Sequence, residues 1–168
     1  MTISMPDVPV CSADGRYTYF DSKHGIGVVG YGTTPERAFE GAAEATFALL
    51  TDLMHVRPQR TLPVSFIEPD ETRALRRWLD LLIDAARQHQ LVFCEFHLQR
   101  EQGRWWGCAT GQRRHGTLAG ELDVKRAARG EAAVRRTSRG WEASCVVECA
   151  RPAAAELRRT PVRPVPAG

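Results

Sequence analysis

The sequence predicts an α+β domain, in which a mixed or antiparallel β-sheet carries two α-helices packed mainly on one face. Two stretches place apolar residues at the 3.6-residue period of an amphipathic helix. After the second stretch the period changes to two, which is typical of strands. Helices early in the chain followed by a run of strands indicate an α+β arrangement rather than regular α/β alternation. The 168 residues are enough for one hydrophobic core.

The first unit of the chain is residues 16–52. Aromatic side chains in residues 17–21 favour a strand, and residues 22–25 follow as a turn. Residues 26–31 form a second strand with several glycines in and around it. Glycine weakens a strand unless another backbone passes close by, so these glycines predict a bend or a crowded sheet face.

A helix follows this hairpin and is expected to end near Leu50. Its N-cap is either Thr34, with Pro35 at the first helical position, or Thr33, in a capping box with Glu36. The buried face is predicted from the helical spacing of its small and apolar residues. These are Phe39, Ala42, Ala43, Thr46, Phe47 and Leu50.

A second helix is predicted after a strand at residues 61–68, which Pro63 places at a sheet edge. Asp70 caps this helix, which ends near Gln90. Its buried residues are predicted to be Leu75, Trp78, Leu79, Leu82, Ile83 and Ala86. The polar residues expected to remain in water are Arg73, Arg76, Arg77, Asp80, Asp84 and Arg87.

The second half of the chain is predicted to be strands. Residues 92–98 and 105–110 form one hairpin, and residues 118–128 form a further strand. Residues 132–137 and 141–149 form the last hairpin.

The domain is expected to cover residues 16–150. Residues 1–15 are predicted to be a flexible arm, and residues 151–168, rich in Pro, Ala and Arg, a disordered tail. No window approaches the roughly 18 apolar residues of a membrane span, and the first residues lack the pattern of a signal peptide. No membrane association and a cytoplasmic location are therefore expected.

Charge and cysteine content limit the functional classes. The net charge is +3, with a basic surplus in residues 113–139 that suits either phosphate, an acidic protein surface, or simply a solvated strand face. Five cysteines without a C-x-x-C pair argue against a disulfide framework and against zinc.

No catalytic motif is recognisable, and the five histidines are scattered. Two carboxylates stand out by position, since Asp21 ends the first strand and Glu148 lies near the end of the last. If these strands are neighbours, the two acids and nearby carbonyl groups suit a hard cation such as calcium. The alternative is a pair of solvent-facing acids at strand ends.

Several segments together resemble the archease family. The opening Tyr17-x-Tyr19-x-Asp21, then His24-Gly25-Ile26-Gly27, is similar to the family pattern Y-x-Y-x-D-H-T-A-D-I-G. Further matches follow in the same order over residues 16–149: Tyr31-Gly32-x-Thr34-x-Glu36-x-Ala38-Phe39, Val124-Lys125 and Val146-Val147-Glu148.

The resemblance implies an archease-like α+β fold and a protein that is not itself a catalyst. It implies an accessory role in tRNA splicing or RNA repair, with activation of a GTP-dependent RtcB-type RNA ligase by promoting its guanylylation and repeated turnover. It also implies a calcium site at one end of the sheet, whose candidate ligands here are Asp21, Glu148 and Cys149. The implied partner-binding residues are Lys125, Arg126 and His24, with RNA contact through the basic sheet face.

The departures from the family pattern concern the metal site. Gly25 occupies the position of an aspartate, Glu148 replaces another aspartate, and Lys23-His24 replaces Thr-Ala. Because calcium affinity depends on the number of charged ligands, calcium is expected to bind weakly or not at all. Two functions follow: a divergent ligase activator, or a binding module that has lost the metal site and ligase activation and serves another protein or RNA.

Overall fold

The computed structural model describes residues 15–114 and 123–150. The predicted tail and nearly all of the predicted arm lie outside the described residues. The strands are β1 (Tyr17–Ser22), β2 (Gly25–Gly32), β3 (Arg60–Ile67), β4 (Leu91–Glu101), β5 (Arg104–Arg113), β6 (Asp123–Thr137) and β7 (Gly140–Ala150). The helices are α1 (Pro35–Ala48) and α2 (Glu71–His89), with a short 3₁₀ helix at Leu53–His55.

The predicted α+β class is confirmed, and the strands divide between two sheets. One sheet has the order β1-β2-β7-β6 and the other the order β3-β5-β4, and all of their pairings are antiparallel. Each helix contacts strands of both sheets. A single core cluster therefore joins the sheets and the helices. Neither helix is long and apolar enough to cross a membrane within the described part of the chain.

Helix α1 begins as one of the two predicted arrangements requires. Thr34 is the N-cap, and its hydroxyl accepts a hydrogen bond from the Arg37 N–H at 3.2 Å. The whole predicted apolar stripe of this helix is buried. The helix backbone lies so close to β2 that a Cβ atom at Gly30 would be 2.0 Å from the Ala38 carbonyl oxygen. The glycine of β2 thus permits the close approach that the small residues of α1 predict.

Helix α2 also matches its prediction at both ends. The Asp70 side chain accepts a hydrogen bond from the Arg73 N–H at 2.9 Å, and Gln90 ends the helix in the left-handed conformation. The predicted stripe is buried, and the indole N–H of Trp78 donates to the Phe39 carbonyl at 2.9 Å. This hydrogen bond joins α2 to α1 inside the core.

The last predicted strands differ from the observed ones. Residues 123–137 form one long strand, β6, where the sequence predicts separate strands at 118–128 and 132–137. Two register shifts interrupt its pairing with β7, at Val124/Arg126 and at Ala127/Ala132. A bulge adds unpaired residues and bends a strand without ending it, so the interrupted alternation in the sequence suggests a break that does not exist. Residues 118–122 belong to the part that the structure does not describe.

Two helix carboxylates bind the edge strands that lie beside them. Glu40 on α1 is 2% exposed and accepts a hydrogen bond from the Leu98 N–H of β4 at 2.8 Å. Its carboxylate also accepts from the Arg37 guanidinium at 2.7 Å. Asp80 on α2 accepts from the Ala127 N–H of β6 at 2.7 Å. In this way the helices satisfy edge-strand donors with which no other described strand pairs.

Candidate functional site

The turn between β1 and β2 consists of Lys23 and His24, both exposed. Ser22 and Gly25 pair across it, and the His24 N–H donates to the Ser22 hydroxyl at 3.2 Å. Gly25 has a φ of +153°, and a Cβ atom there would lie 2.0 Å from the Val147 carbonyl oxygen. The backbone of β7 therefore occupies the space that any side chain at position 25 needs.

The two predicted metal carboxylates do not lie on neighbouring strands. The sheet order places β2 between β1 and β7. Asp21 pairs with Ile26, which pairs with Val147, so Asp21 and Val147 are in one cross-strand row. Successive side chains alternate between the two faces of a sheet, and Glu148 therefore emerges on the face opposite to Asp21. The condition on which the sequence argument for a shared cation site depends is not met.

Glu148 has a guanidinium partner instead of a metal ligand set. Its carboxylate accepts a hydrogen bond from the Arg126 Nε at 3.1 Å, and these residues are register partners. Cys149, the third predicted ligand, is half-buried, and its thiol donates to the Val147 carbonyl at 3.6 Å. Within the described residues no three His, Cys, Asp or Glu side chains form a group that could hold a metal ion. The residues present do not fit a calcium centre, and weak or absent calcium binding remains a prediction.

The three predicted partner-binding residues lie at the same end of the four-stranded sheet. Lys125 is exposed at the first bulge of β6, next to the exposed Arg126. The His24 Nε2 lies 3.8 Å from the carboxylate of Glu131, which also accepts a hydrogen bond from the Ser22 hydroxyl at 3.2 Å. Segments far apart in the sequence thus meet around the β1–β2 turn.

A groove of about 800 Å³ opens at this end of the fold, between the β1–β2 turn, α2, β6 and β7. Four carboxylates line it, and each accepts a hydrogen bond within the protein. Glu148 accepts from Arg126 and Glu131 from Ser22, as described above. Asp80 accepts from the Ala127 N–H, and Glu68 accepts from the Asp70 N–H at 3.3 Å.

The prediction that Asp80 is exposed is wrong. The sequence pattern places this residue in water, but in the structure it is half-buried. It faces water in the helical pattern, but β6 packs beside α2 and covers it. Burial raises the pKa of the Asp80 carboxyl above its usual value. The Ala127 hydrogen bond and the charges of Arg126 and Arg76 act on this pKa in the opposite direction.

Three arginines of α2 form the opposite wall of the groove: Arg73, Arg76 and Arg77. Arg76 is half-buried rather than exposed, and its Nε is a buried donor for which the described part of the chain offers no acceptor. Arg77 lies over the ring of Phe66, 5.8 Å from its centroid. Among the described residues none of the three forms an ion pair within 4 Å. This wall was missed as a site from the sequence, although the spacing of Arg73, Arg76, Arg77 and Asp80 on one helix face is a signal for it.

Comparisons with known proteins agree on one family. The model of the archease protein family (MTH1598/TM1083) matches residues 17–148. The archease of Methanosarcina barkeri is 28% identical over 144 residues, which cover 82% of this chain and 99% of that protein. The archease of Sulfolobus acidocaldarius is 32% identical over 81 residues, which cover 48% of this chain and 58% of that protein.

Two solved structures share the fold. The solution structure of Methanobacterium thermoautotrophicum protein 1598 has a TM-score of 0.63 at 22% identity, covering 79% of this chain and 98% of that one. An archease from Thermotoga maritima, described as a possible chaperone, has a TM-score of 0.51 at 11% identity, covering 77% of this chain and 94% of that one. With the family model matched from the first strand to Glu148, the chain belongs to the archease family.

Proposed function

We propose that this protein is an accessory factor that activates an RtcB-type, GTP-dependent RNA ligase in tRNA splicing or RNA repair. Membership of the archease family supports an accessory role. The observation that carries the proposal is the convergence of Lys125, Glu148 and the β1–β2 turn at one exposed end of the sheet. These positions align with the family pattern, Lys125 by an identical residue and Glu148 and the turn by substituted ones, and they come from three distant segments of the chain.

The exposed cations at this end suit contact with a ligase surface or with RNA bound to it. Lys125 projects from a bulge, a feature that re-aims side chains at the ends of sheets. Arg126 shares its charge with Glu148, and the ion pair leaves both side chains accessible. Interface charges of this kind mainly set association rate and specificity. The role of this end of the four-stranded sheet is therefore recognition and positioning of the ligase.

A second candidate function is that of a binding module without ligase activation. The observation in its favour is the replacement of the family metal site by the Arg126–Glu148 pair and by a glycine that the β7 backbone makes obligatory. If activation requires the metal, this chain would retain only the binding surface of the fold.

Ligase guanylylation distinguishes the two candidates. The RtcB-type ligase of the same genome is incubated with labelled GTP, with and without an equimolar amount of this protein. We expect faster labelling of the ligase and more than one ligation per enzyme, and we expect Lys125→Ala to reduce both.

The matched control for this experiment is Arg60→Ala, since Arg60 is exposed at the start of β3, whereas the groove is lined by Glu68, which follows the other end of that strand. It should stimulate the ligase as the unmodified protein does. No stimulation by the unmodified protein would reject the first function and leave the binding module.

A further inference from the structure

We propose that the groove between α2, β6 and the β1–β2 turn binds the ribose-phosphate backbone of single-stranded RNA. This inference deepens the proposed function, on which it rests for the identification of the ligand as RNA. Its first support is the charge on the α2 wall. Arg73, Arg76 and Arg77 have no carboxylate within ion-pair distance among the described residues, although four carboxylates line the same groove.

The unpaired donors of this wall point to an oxyanion. The Nε of Arg76 is buried and has no acceptor among the described residues, which is unfavourable unless a ligand supplies one. The planar guanidinium presents several donors in a fork that matches phosphate. Arg73 and Arg76 are one helical turn apart, so their side chains lie on one face and can contact the same anionic chain. A phosphate oxygen is therefore the acceptor that the unpaired guanidinium donors of this wall require.

The opposite wall favours a ribose over an acidic peptide. Glu148 and Glu131 bring carboxylates to the groove, and one oxygen of Glu148 is not used in its hydrogen bond with Arg126. An acidic peptide, which carries only acceptors in its side chains, would be repelled there. An RNA backbone alternates phosphate acceptors with 2′-hydroxyl groups that donate hydrogen bonds. Arginines facing carboxylates thus match both groups of the RNA backbone.

The size and lining of the groove set the mode of recognition. About 800 Å³ is within the range of pockets that enclose a small molecule, which suits a short segment of one strand rather than a duplex. Among the described residues that line the groove there is no Phe, Tyr or Trp. Bases would have no ring to stack on, so binding is expected to depend on the backbone and to be independent of sequence.

The test is fluorescence anisotropy with a labelled 12-nucleotide RNA, the DNA of the same sequence, and the full-length protein. We expect Arg73→Gln/Arg76→Gln to weaken RNA binding about tenfold at low salt and to lower the slope of log K against log salt by about 1.4. Arg60→Gln removes the same kind of charge at the far end of β3 and should change neither quantity. Arg73→Gln alone, an exposed substitution, provides the same test with no risk to folding, at about half the change in slope.

A second variant tests the ribose contact. The unmodified protein should prefer RNA to DNA by about fivefold, the equivalent of one hydrogen bond. In Glu148→Ala the affinity for both should rise because a carboxylate is removed, while the preference for RNA should fall towards one. GMP is added as a competitor: displacement of RNA at equal concentration would assign the groove to a free nucleotide, and weak displacement would assign it to a strand.

Several results would overturn the inference. An equal loss of RNA affinity in the Arg60 and Arg73 variants would show that RNA binds outside the groove. Displacement of the labelled RNA by poly-glutamate as readily as by unlabelled RNA would identify an acidic protein as the partner. The binding assay needs no ligase, so its failure is separable from that of the proposed function. If the protein stimulates guanylylation but does not bind RNA, only the proposal of RNA binding in the groove is refuted. If it binds RNA but does not stimulate guanylylation, only the proposal of ligase activation is refuted.

Discussion

Replacement of Gly25 tests whether the metal site that the family resemblance implies can be built in this chain. The family pattern has an aspartate at this position, so from the sequence alone Gly25→Asp would be expected to restore a carboxylate metal ligand. The structure predicts the opposite, because Gly25 has a φ of +153° and the Val147 carbonyl oxygen lies 2.0 Å from the position of a Cβ atom.

The expected loss of stability has two parts. A side chain held at this positive φ costs about 1–3 kcal/mol. The overlap must also be relieved by moving the end of β2 away from β7 by about 1 Å, which weakens one or two hydrogen bonds of about 0.5–1.5 kcal/mol each. The two parts sum to about 1.5–6 kcal/mol, which corresponds to a decrease of roughly 3–24 °C in Tm for a domain of this size.

The assay is thermal unfolding of Gly25→Ala and Gly25→Asp, in EDTA and in millimolar calcium. Gly15→Ala is the matched control, because Gly15 also has a positive φ, +72°, but no atom of the described residues lies within 4 Å of its Cβ position. It measures the cost of a left-handed φ without a steric contact, which should be about 1 kcal/mol. The difference between the two alanine variants then sets an upper limit on the contact with Val147, because the φ of Gly25 lies outside the left-handed region that Gly15 occupies.

Calcium provides the result that would refute this reasoning. A ligand present at 100 times its Kd stabilises a protein by about 2.7 kcal/mol, an easily measured increase in Tm. If Gly25→Asp is as stable as the unmodified protein in EDTA and melts several degrees higher with calcium, the backbone tolerates the side chain. The substitution then creates a calcium site, and the reasoning is refuted.

Three further predictions concern buried groups. Glu40→Ala should lower the free energy of unfolding by about 3 kcal/mol in urea denaturation, since the buried N–H of Leu98 loses its acceptor and a cavity is added. Asp80→Asn should become more stable relative to the unmodified protein as the pH rises from 3.5 to 7. The folded-state pKa of Asp80 is raised, so its ionisation costs stability as pH increases, while asparagine still accepts from Ala127. Burial raises the pKa of Cys145 to about 12, and iodoacetamide at pH 8 should modify this thiol only after unfolding, as read by peptide mass mapping.

Each of these predictions has an internal comparison. Glu95 is exposed on β4, and Glu95→Gln should leave the unfolding free energy within about 0.5 kcal/mol. An Asp80→Asn profile parallel to that of the unmodified protein would show that Asp80 does not titrate differently on folding. Cys108 is half-buried and should be modified before Cys145, and rapid modification of Cys145 in the folded protein would contradict its burial.

Much of the local structure could be predicted because its causes lie close together in the sequence. The caps Thr34 and Asp70 and the apolar stripes of both helices depend on spacings of three or four residues. Pro63 indicated an edge strand for a similar reason, since its missing N–H excludes a central position. The continuity of β6 was missed, because a bulge interrupts the alternation on which strand prediction depends.

The candidate site shows the limit of this reasoning. The sequence by itself determined the fold class, the family and the segments that carry the candidate functional positions, since these depend on local patterns and their order. Only the tertiary structure decided which side chains meet. Strand order separates Asp21 from Glu148, and α2 brings Arg76 to the groove. The position of Gly25 is limited by the backbone of β7, more than a hundred residues later in the chain, and such contacts between distant segments leave no local pattern to read.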